Sequence, residues 1–180
     1  MSHKVAIIIR GPSGSGKSTL TKALTAHHGE ENVTVVSADE FFMEDGMVPD
    51  TSLVVPDGGS PIMIPGRVYK FNPTKLGEAH AESLGNFIGA LADKRPVVIV
   101  DNTNIHNWEW RNYAMIAKAH GYEIQIQEFR VETVEQISEC QRRNVHRVPA
   151  DIVAKMCIEF EPCANAVVHQ VFPIEEKKKK

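Results

Sequence analysis

Cysteine is scarce and odd in number: Cys140, Cys157 and Cys163 are the only three, without the spacing of a paired zinc site or a disulfide framework. They read as buried thiols of a reduced compartment, and the expected localisation is cytoplasmic. Long apolar runs are missing as well. Nothing approaches a bilayer-spanning length, and the apolar stretch near the start is too short for a secretory signal, so no membrane role is expected. Charge of one sign is not in excess either. Twenty Lys and Arg against 23 Asp and Glu leave a net charge of -3, which argues against a strongly basic nucleic-acid binder while leaving room for a local basic groove. There is no internal repeat, no N-K-x-D string of the kind that reads guanine, and no legible protein-partner motif.

What remains is an ordinary globular composition, 42% apolar and 24% charged over 180 residues, enough for one domain with its own core. The expected division is a single domain over 1–173, with an irregular insertion at about 43–73, and a basic tail at 174–180. The tail, ending in Lys177 to Lys180, reads as a solvated end.

The most informative string is Gly11-Pro12-Ser13-Gly14-Ser15-Gly16-Lys17-Ser18, a complete G-x-x-x-x-G-K-[ST] phosphate-binding loop. By average residue usage it would occur by chance in roughly one chain of this length in a hundred. Val5-Ala6-Ile7-Ile8-Ile9 before it has the β-branched character of a buried parallel strand. Leu20, Ala23 and Leu24 after it recur at helical spacing, so the loop joins strand to helix. Glycines let such a loop aim N–H groups at phosphate oxygens, and the following helix adds the positive end of its dipole. Residues 11 to 18 with Thr19 are therefore the expected ATP site. Lys17 should reach the β- and γ-phosphates, and the Ser18 hydroxyl should ligate Mg²⁺.

Further along, strand and helix signals alternate. Val33 to Ser37 reads as a strand ending at Ala38-Asp39-Glu40. Residues 43–73, with five prolines, are too long for a connection and suggest a functional loop, hairpin or lid. Leu76, His80, Leu84, Phe87, Ile88 and Leu91 mark an amphipathic helix. Pro96 to Asp101 is another apolar strand, and Trp108 to His120 a helix stopped by Gly121. Tyr122 to Phe129 alternates as a strand with one wetter face. Thr133 and Gln136 have capping-box spacing for a helix running toward Arg143. Pro149 opens a last helix with Ile152, Met156 and Phe160 on its apolar side. Such alternation predicts an α/β fold of the P-loop NTPase, kinase-type class, a parallel sheet with helices on both faces. Ligands then bind beyond the carboxyl ends of the strands, which gathers the loop, Asp39 and Asp101 to Asn104 around one cleft.

Phosphoryl transfer needs positioning and charge neutralisation more than covalent chemistry. Asp39, just past the second strand, is placed to take a proton from an acceptor hydroxyl, although a strand-end acid also serves as a helix cap. Asp101 closes an apolar strand, the usual setting for a Mg²⁺-orienting carboxylate or else a turn acid. Arg143 and Arg147, four apart, would share a helix face and could clamp phosphates, or form a solvated face with Arg142. Trp108 and Trp110 could stack on a base, with packing as the simpler role.

Taken in order, the phosphate loop, Ser37-Ala38-Asp39-Glu40-Phe41-Phe42, Val100-Asp101-Asn102-Thr103-Asn104 and Arg143-Asn144-Val145-His146-Arg147-Val148-Pro149 resemble the P-loop polynucleotide 5′-hydroxyl-kinases. Tyr69-Lys70-Phe71-Asn72-Pro73 with Glu78-Ala79-His80 looks most like the subgroup around the kinase-like domain of NEDD4-binding protein 2 and its short relatives. The similarity covers about residues 4 to 161 outside the 43–68 segment. It implies that Asp39 is the general base and that Arg143 and Arg147 belong to a lid over ATP. It also implies that His80 faces the cleft. Phe42 and Asn102 depart from it, standing where the phage enzymes carry an arginine and an aspartate on the acceptor side.

The expected protein is thus an ATP- and Mg²⁺-dependent kinase in which Lys17, Asp39, Arg143 and Arg147 act in catalysis. Ser18 and Asp101 are its expected metal ligands, and Arg67, Tyr69, His80, Asn102 and Thr103 its expected acceptor contacts. The expected acceptor is the 5′-hydroxyl of a nucleic acid. The alternatives are a small-molecule acceptor (a nucleoside, sugar or antibiotic) and an ATP-binding switch with little kinase activity.

Overall fold

A run of apolar residues buried on both sides occupies the middle of the molecule. The computed structural model describes residues 4–51 and 60–171, and in it β1 (Val5–Arg10) is the central strand of a five-stranded sheet. Its neighbours are β5 (Val97–Asp101) and β6 (Glu123–Arg130), with β2 (Val33–Val36) outside β5 and β7 (Val167–Gln170) outside β6. Every pairing is parallel, with Ile8 level with both Val100 and Ile126. Parallel strands covered on both faces require near-continuous apolar sequence, which is what β1 and β5 supply.

The strand period of two sorts the core into two layers. Ala6, Ile8, Val98 and Val100 face α2 (Leu76–Ala92) and α3 (Asn107–Ala119), meeting Phe87, Leu91, Trp110 and Tyr113. Val5, Ile7, Ile9, Val97 and Ile99 face the other way, toward Leu20 and Leu24 of α1 (Lys17–His28). Cys140 of α4 (Val134–Arg143) and Val153 and Cys157 of α5 (Ala150–Ile158) complete that layer. Helices therefore cover both faces. Among the described residues, no helix is long and apolar enough to cross a membrane.

The 43–73 segment contains a separate antiparallel hairpin, β3 (Met43–Pro49) and β4 (Met63–Tyr69). Gly46 and Gly66 sit directly opposite each other. A Cβ on either would come within 2.7 Å of Val68 or 2.5 Å of Val48, so the paired glycines make room for the flanking valines. The base of the hairpin is fastened to the body by a small core of Ala38, Phe42 and Ala79, with Phe41 and Tyr69 against it.

Several sequence expectations need correction. Along α2 the buried stripe is Ala79, Ser83, Phe87, Ala90 and Leu91, while Leu76, His80 and Ile88 are exposed. Small residues hold the inner positions because the helix lies close on the sheet and on the turn after β2. In α5, Val153 and Cys157 are buried, Ile152 is exposed, and the helix ends before Phe160. β7 carried no usable signal, being four residues long. Nor is the end of β6 wet: Gln127 and Glu128 are buried, the latter by a salt bridge to the fully buried Arg10. The Arg10 guanidinium also donates to the backbone oxygens of Asn104, Ile105 and Glu161, and Trp110 and Phe160 flank it at 4.9 Å. Glu128 in turn accepts from Arg130 and from the Cys163 amide, so the buried charges are fully partnered. Burial pushes the Arg10 pKa below its ordinary value, and Glu128 pulls it back up. The basic tail and residues 52–59 lie outside the described residues.

Candidate active site

The cleft opens where the carboxyl ends of β1, β2 and β5 converge, and it has a volume of about 360 Å³. β1 delivers the chain into the phosphate loop, whose glycines adopt the left-handed region: Gly14 has φ 77° and Gly16 φ 112°. Gly14 is doubly constrained, because a Cβ there would lie 2.0 Å from the carbonyl oxygen of Cys140. The loop is thus pressed against the backbone of α4, and only glycine fits. On the other side the Gly11 amide donates to the Thr103 carbonyl at 2.8 Å. Asn104, itself at φ 47°, donates its side-chain amide to Ile9 O.

Lys17 is the first residue of α1, and its ammonium donates to Pro12 O at 3.0 Å. Burial pushes its pKa below the ordinary value, while Asp101 and then Asp39 pull in the opposite direction. Lys17, Asp101 and Asp39 all line the same cleft. Asp101, at the end of β5, accepts a 2.7 Å hydrogen bond from the Thr21 hydroxyl of α1. Ser18 lies beside it on the cleft wall.

Asp39 follows β2 in a one-turn 3-10 segment, Ala38–Phe42, capped by Ser37, whose hydroxyl oxygen accepts from the Asp39 amide at 3.2 Å. Asn102 supports the same turn: its Oδ1 accepts from the Ala38 amide at 2.8 Å. The Asp39 carboxylate stays half exposed in the cleft. Its Oδ1 accepts a hydrogen bond from the Tyr69 hydroxyl at 2.9 Å, and its Oδ2 lies 3.6 Å from His146 Nε2. Burial, followed by the Asp39 charge, pushes the Tyr69 phenol well above its usual pKa, so it remains a donor.

The expected arginine pair is separated. Arg143 is the last residue of α4 and lines the cleft, and its guanidinium bonds to Glu139 together with that of Arg142. Those hydrogen bonds, Arg142's foremost, hold the Glu139 carboxyl down at about 2. Arg147 lies beyond the helix end, exposed, at φ 54° and outside the cleft lining, so the two do not share a helix face. Asn144 ends the helix by donating to Val148 O at 2.7 Å, which turns the chain before a further helical turn can form.

Among the other expected contacts, Asn102 and Thr103 line the cleft, but the Asn102 side chain is buried and engaged with Ala38 and Ser83. Arg67 is salt-bridged to Glu40 and donates to Met43 O. His80 is on the solvent side of α2, away from the cleft lining, because Ala79 takes the inward position. Trp110 is buried against Arg10, and Trp108 is exposed at the start of α3. His146 lines the cleft and escaped the sequence reading, although its place between Arg143 and Arg147 in a lid-like string was the available signal.

Comparison with known proteins bears on the fold. A family model described as "AAA domain" matches residues 7–163. Human NEDD4-binding protein 2 is 26% identical over 175 residues, covering 96% of this chain but only 8% of that protein's length. Among solved structures, one from the Pnkp1/Rnl/Hen1 RNA repair complex superposes with a TM-score of 0.60 at 18% identity, over 89% of this chain and 45% of the other. A gluconokinase from Sinorhizobium meliloti superposes at 0.57 and 15% identity, over 95% and 85%. At these identities the structural matches speak for the fold alone. The chain belongs to this AAA-domain family and has its P-loop, kinase-like, nucleotide-binding fold.

Proposed function

We propose that this cleft transfers the γ-phosphate of ATP to an acceptor hydroxyl, with Asp39 as the base and the 5′-hydroxyl of a nucleic acid as the acceptor. The observation that carries the reading is that Lys17 shares one cleft lining with two carboxylates of different attachment, Asp101 on β5 and Asp39 on the turn after β2. One belongs to the phosphate side and the other faces the hairpin. A phosphate binder alone requires only the first.

The loop amides and the N-terminal end of α1 would bind the phosphate chain, and Lys17 and Arg143 would offset the negative charge that builds on the transferring group. The oxygen donors Ser18 and Asp101, adjacent on the wall beside Lys17, fit a hard divalent cation that keeps water and phosphate oxygens as its other ligands. Mg²⁺ held there would supply further charge neutralisation. Asp39 would accept the acceptor's proton as the hydroxyl oxygen attacks. Arg147, outside the cleft lining, would join only if the lid segment moved inward.

A nucleic-acid acceptor is supported by the resemblance of the ordered motifs to the polynucleotide 5′-hydroxyl-kinases and by the aromatic surface beside the hairpin base, where Phe71 stays exposed beside Tyr69 with nearly parallel rings. One observation favours a small-molecule acceptor instead. The cations nearest Asp39 on the hairpin are matched with acids, Arg67 with Glu40 and Lys70 with Glu44, which leaves little uncompensated positive charge for a polyanion. An assay with labelled ATP against 5′-hydroxyl DNA, 5′-hydroxyl RNA and a panel of hydroxyl metabolites separates the two. Label on an oligonucleotide 5′ end is the expected result; turnover of a metabolite with no labelled oligonucleotide overturns it.

A further inference from the structure

The backbone and the side chain of Asp39 are held by different parts of the molecule. Its amide and that of Ala38 are fixed from within the body, by Ser37 and Asn102. Two peripheral segments supply partners to the carboxylate. Tyr69, at the end of β4, donates to Oδ1 at 2.9 Å; His146, on the segment between α4 and α5, stands 3.6 Å from Oδ2. The Tyr69 and His146 rings touch, with centroids 4.2 Å apart. Three groups from three segments thus close a triangle at the position assigned to the base.

We propose that Tyr69 and His146 are positioning residues for Asp39, one carried by the hairpin and one by the lid, which align the carboxylate only when both segments are in place. The inference rests on the reading of Asp39 as the acceptor's base. A carboxylate has about four lone-pair sites and rotates broadly about its terminal torsion. A phenol donor on one oxygen and an imidazole near the other fix its plane, leaving the remaining lone pairs for the acceptor's proton.

The hairpin end is itself anchored to the Asp39 turn. The Lys70 amide donates to Phe42 O at 2.8 Å, and the Tyr69 ring meets the buried Phe42 ring at 6.0 Å. The Tyr69 hydroxyl therefore moves with the turn that bears Asp39. Among the described residues, the charged and titratable groups that share the cleft with Asp39 are His146, Arg143 of α4, Lys17 of α1 and Asp101 of β5, with Tyr69 of β4 bonded to it and Glu40, which Arg67 engages, adjacent in the chain. Packing explains the Tyr69 ring but not its hydroxyl, which makes its bond to the reactive group.

Tyr69→Phe, which keeps the ring, separates the two roles. The assay is phosphorylation of a 5′-hydroxyl oligonucleotide or, should only metabolites be turned over, of the best of those. The expected result is a fall in kcat on the order of tenfold to a hundredfold with KM for ATP unchanged. His146→Gln, which leaves the hairpin intact, should lower kcat by less. In an Asp39→Asn background, Tyr69→Phe should have no further effect on residual turnover. If Asp39→Asn is inactive but neither variant lowers kcat, the positioning role is overturned and the base stands. If Asp39→Asn keeps full activity, the reading of the base itself falls.

Discussion

The phosphate-loop wall rests on Ile7, Ile8, Ile9 and Arg10, all fully buried, whereas the hairpin wall, which packs on the Asp39 turn outside the cleft lining, carries Met47 at 53% and leads to Phe71 at 51% exposure. On the first wall the contacts are largely backbone: glycines at positive φ, amides and carbonyls shared between adjacent strand ends, and the α4 backbone pressed on Gly14. On the second they are side chain to side chain, Tyr69 to Asp39, Arg67 to Glu40 and Lys70 to Glu44. Backbone contacts hold a geometry for one invariant ligand, the polyphosphate. Exposed side-chain contacts can be exchanged without disturbing the sheet, which suits the proposed reading of a variable acceptor beside Asp39.

The largest effect that can sharpen the contrast is the loss of Lys17. Lys17→Met removes the one ammonium near both carboxylates and should lower phosphoryl transfer by about a thousandfold with every acceptor alike, measured with labelled ATP. A loss confined to one acceptor would mean that the two walls are not functionally separate. The next effect is on stability. Glu128→Ala leaves Arg10 buried without its carboxylate and should cost about 3–5 kcal/mol, measured by denaturant unfolding. A loss under 1 kcal/mol would show that the wall behind the phosphate loop is not the rigid one. The smallest effect belongs to the hairpin. Arg67→Ala breaks an exposed pair and should change stability by no more than about 1 kcal/mol, with KM for ATP unaltered and KM for the acceptor changed. A matching rise in KM for ATP would erase the distinction.

The same division decided what could be read from the sequence. The phosphate loop, β1, β5 and the capping box at Thr133 and Gln136 depend on local pattern, and each stands where the residues indicated. The hairpin was visible only as a stretch too long and too rich in proline for a connection, because its register, with Gly46 opposite Gly66 across the ladder, joins strands distant in the chain. Helix faces were misjudged where small residues pack inward: Ala79 and Ser83 are buried while His80 and Ile88 are not, since close approach to the sheet selects size over hydrophobicity. The Arg10–Glu128 pair joins residues 118 positions apart, and no periodicity reports a partner at that distance. Tyr69 lies 30 positions beyond Asp39 and His146 much farther along, so their convergence is a tertiary fact. The separation of Arg143 from Arg147 turns on the chain leaving the helix at Asn144 rather than continuing one more turn.

The central claim is that Asp39 activates the acceptor while the phosphate loop, independently, holds the donor. Its most direct measurement is phosphoryl transfer by Asp39→Asn beside its ATP affinity, measured by titration on the same preparation. Asn keeps the size of the side chain and removes its basicity, and Asp39 lies outside the loop that holds the phosphates. The account predicts a fall in kcat of about a hundredfold or more with ATP binding within about twofold of the original. Unchanged turnover, or a loss explained wholly by weakened ATP binding, would contradict it.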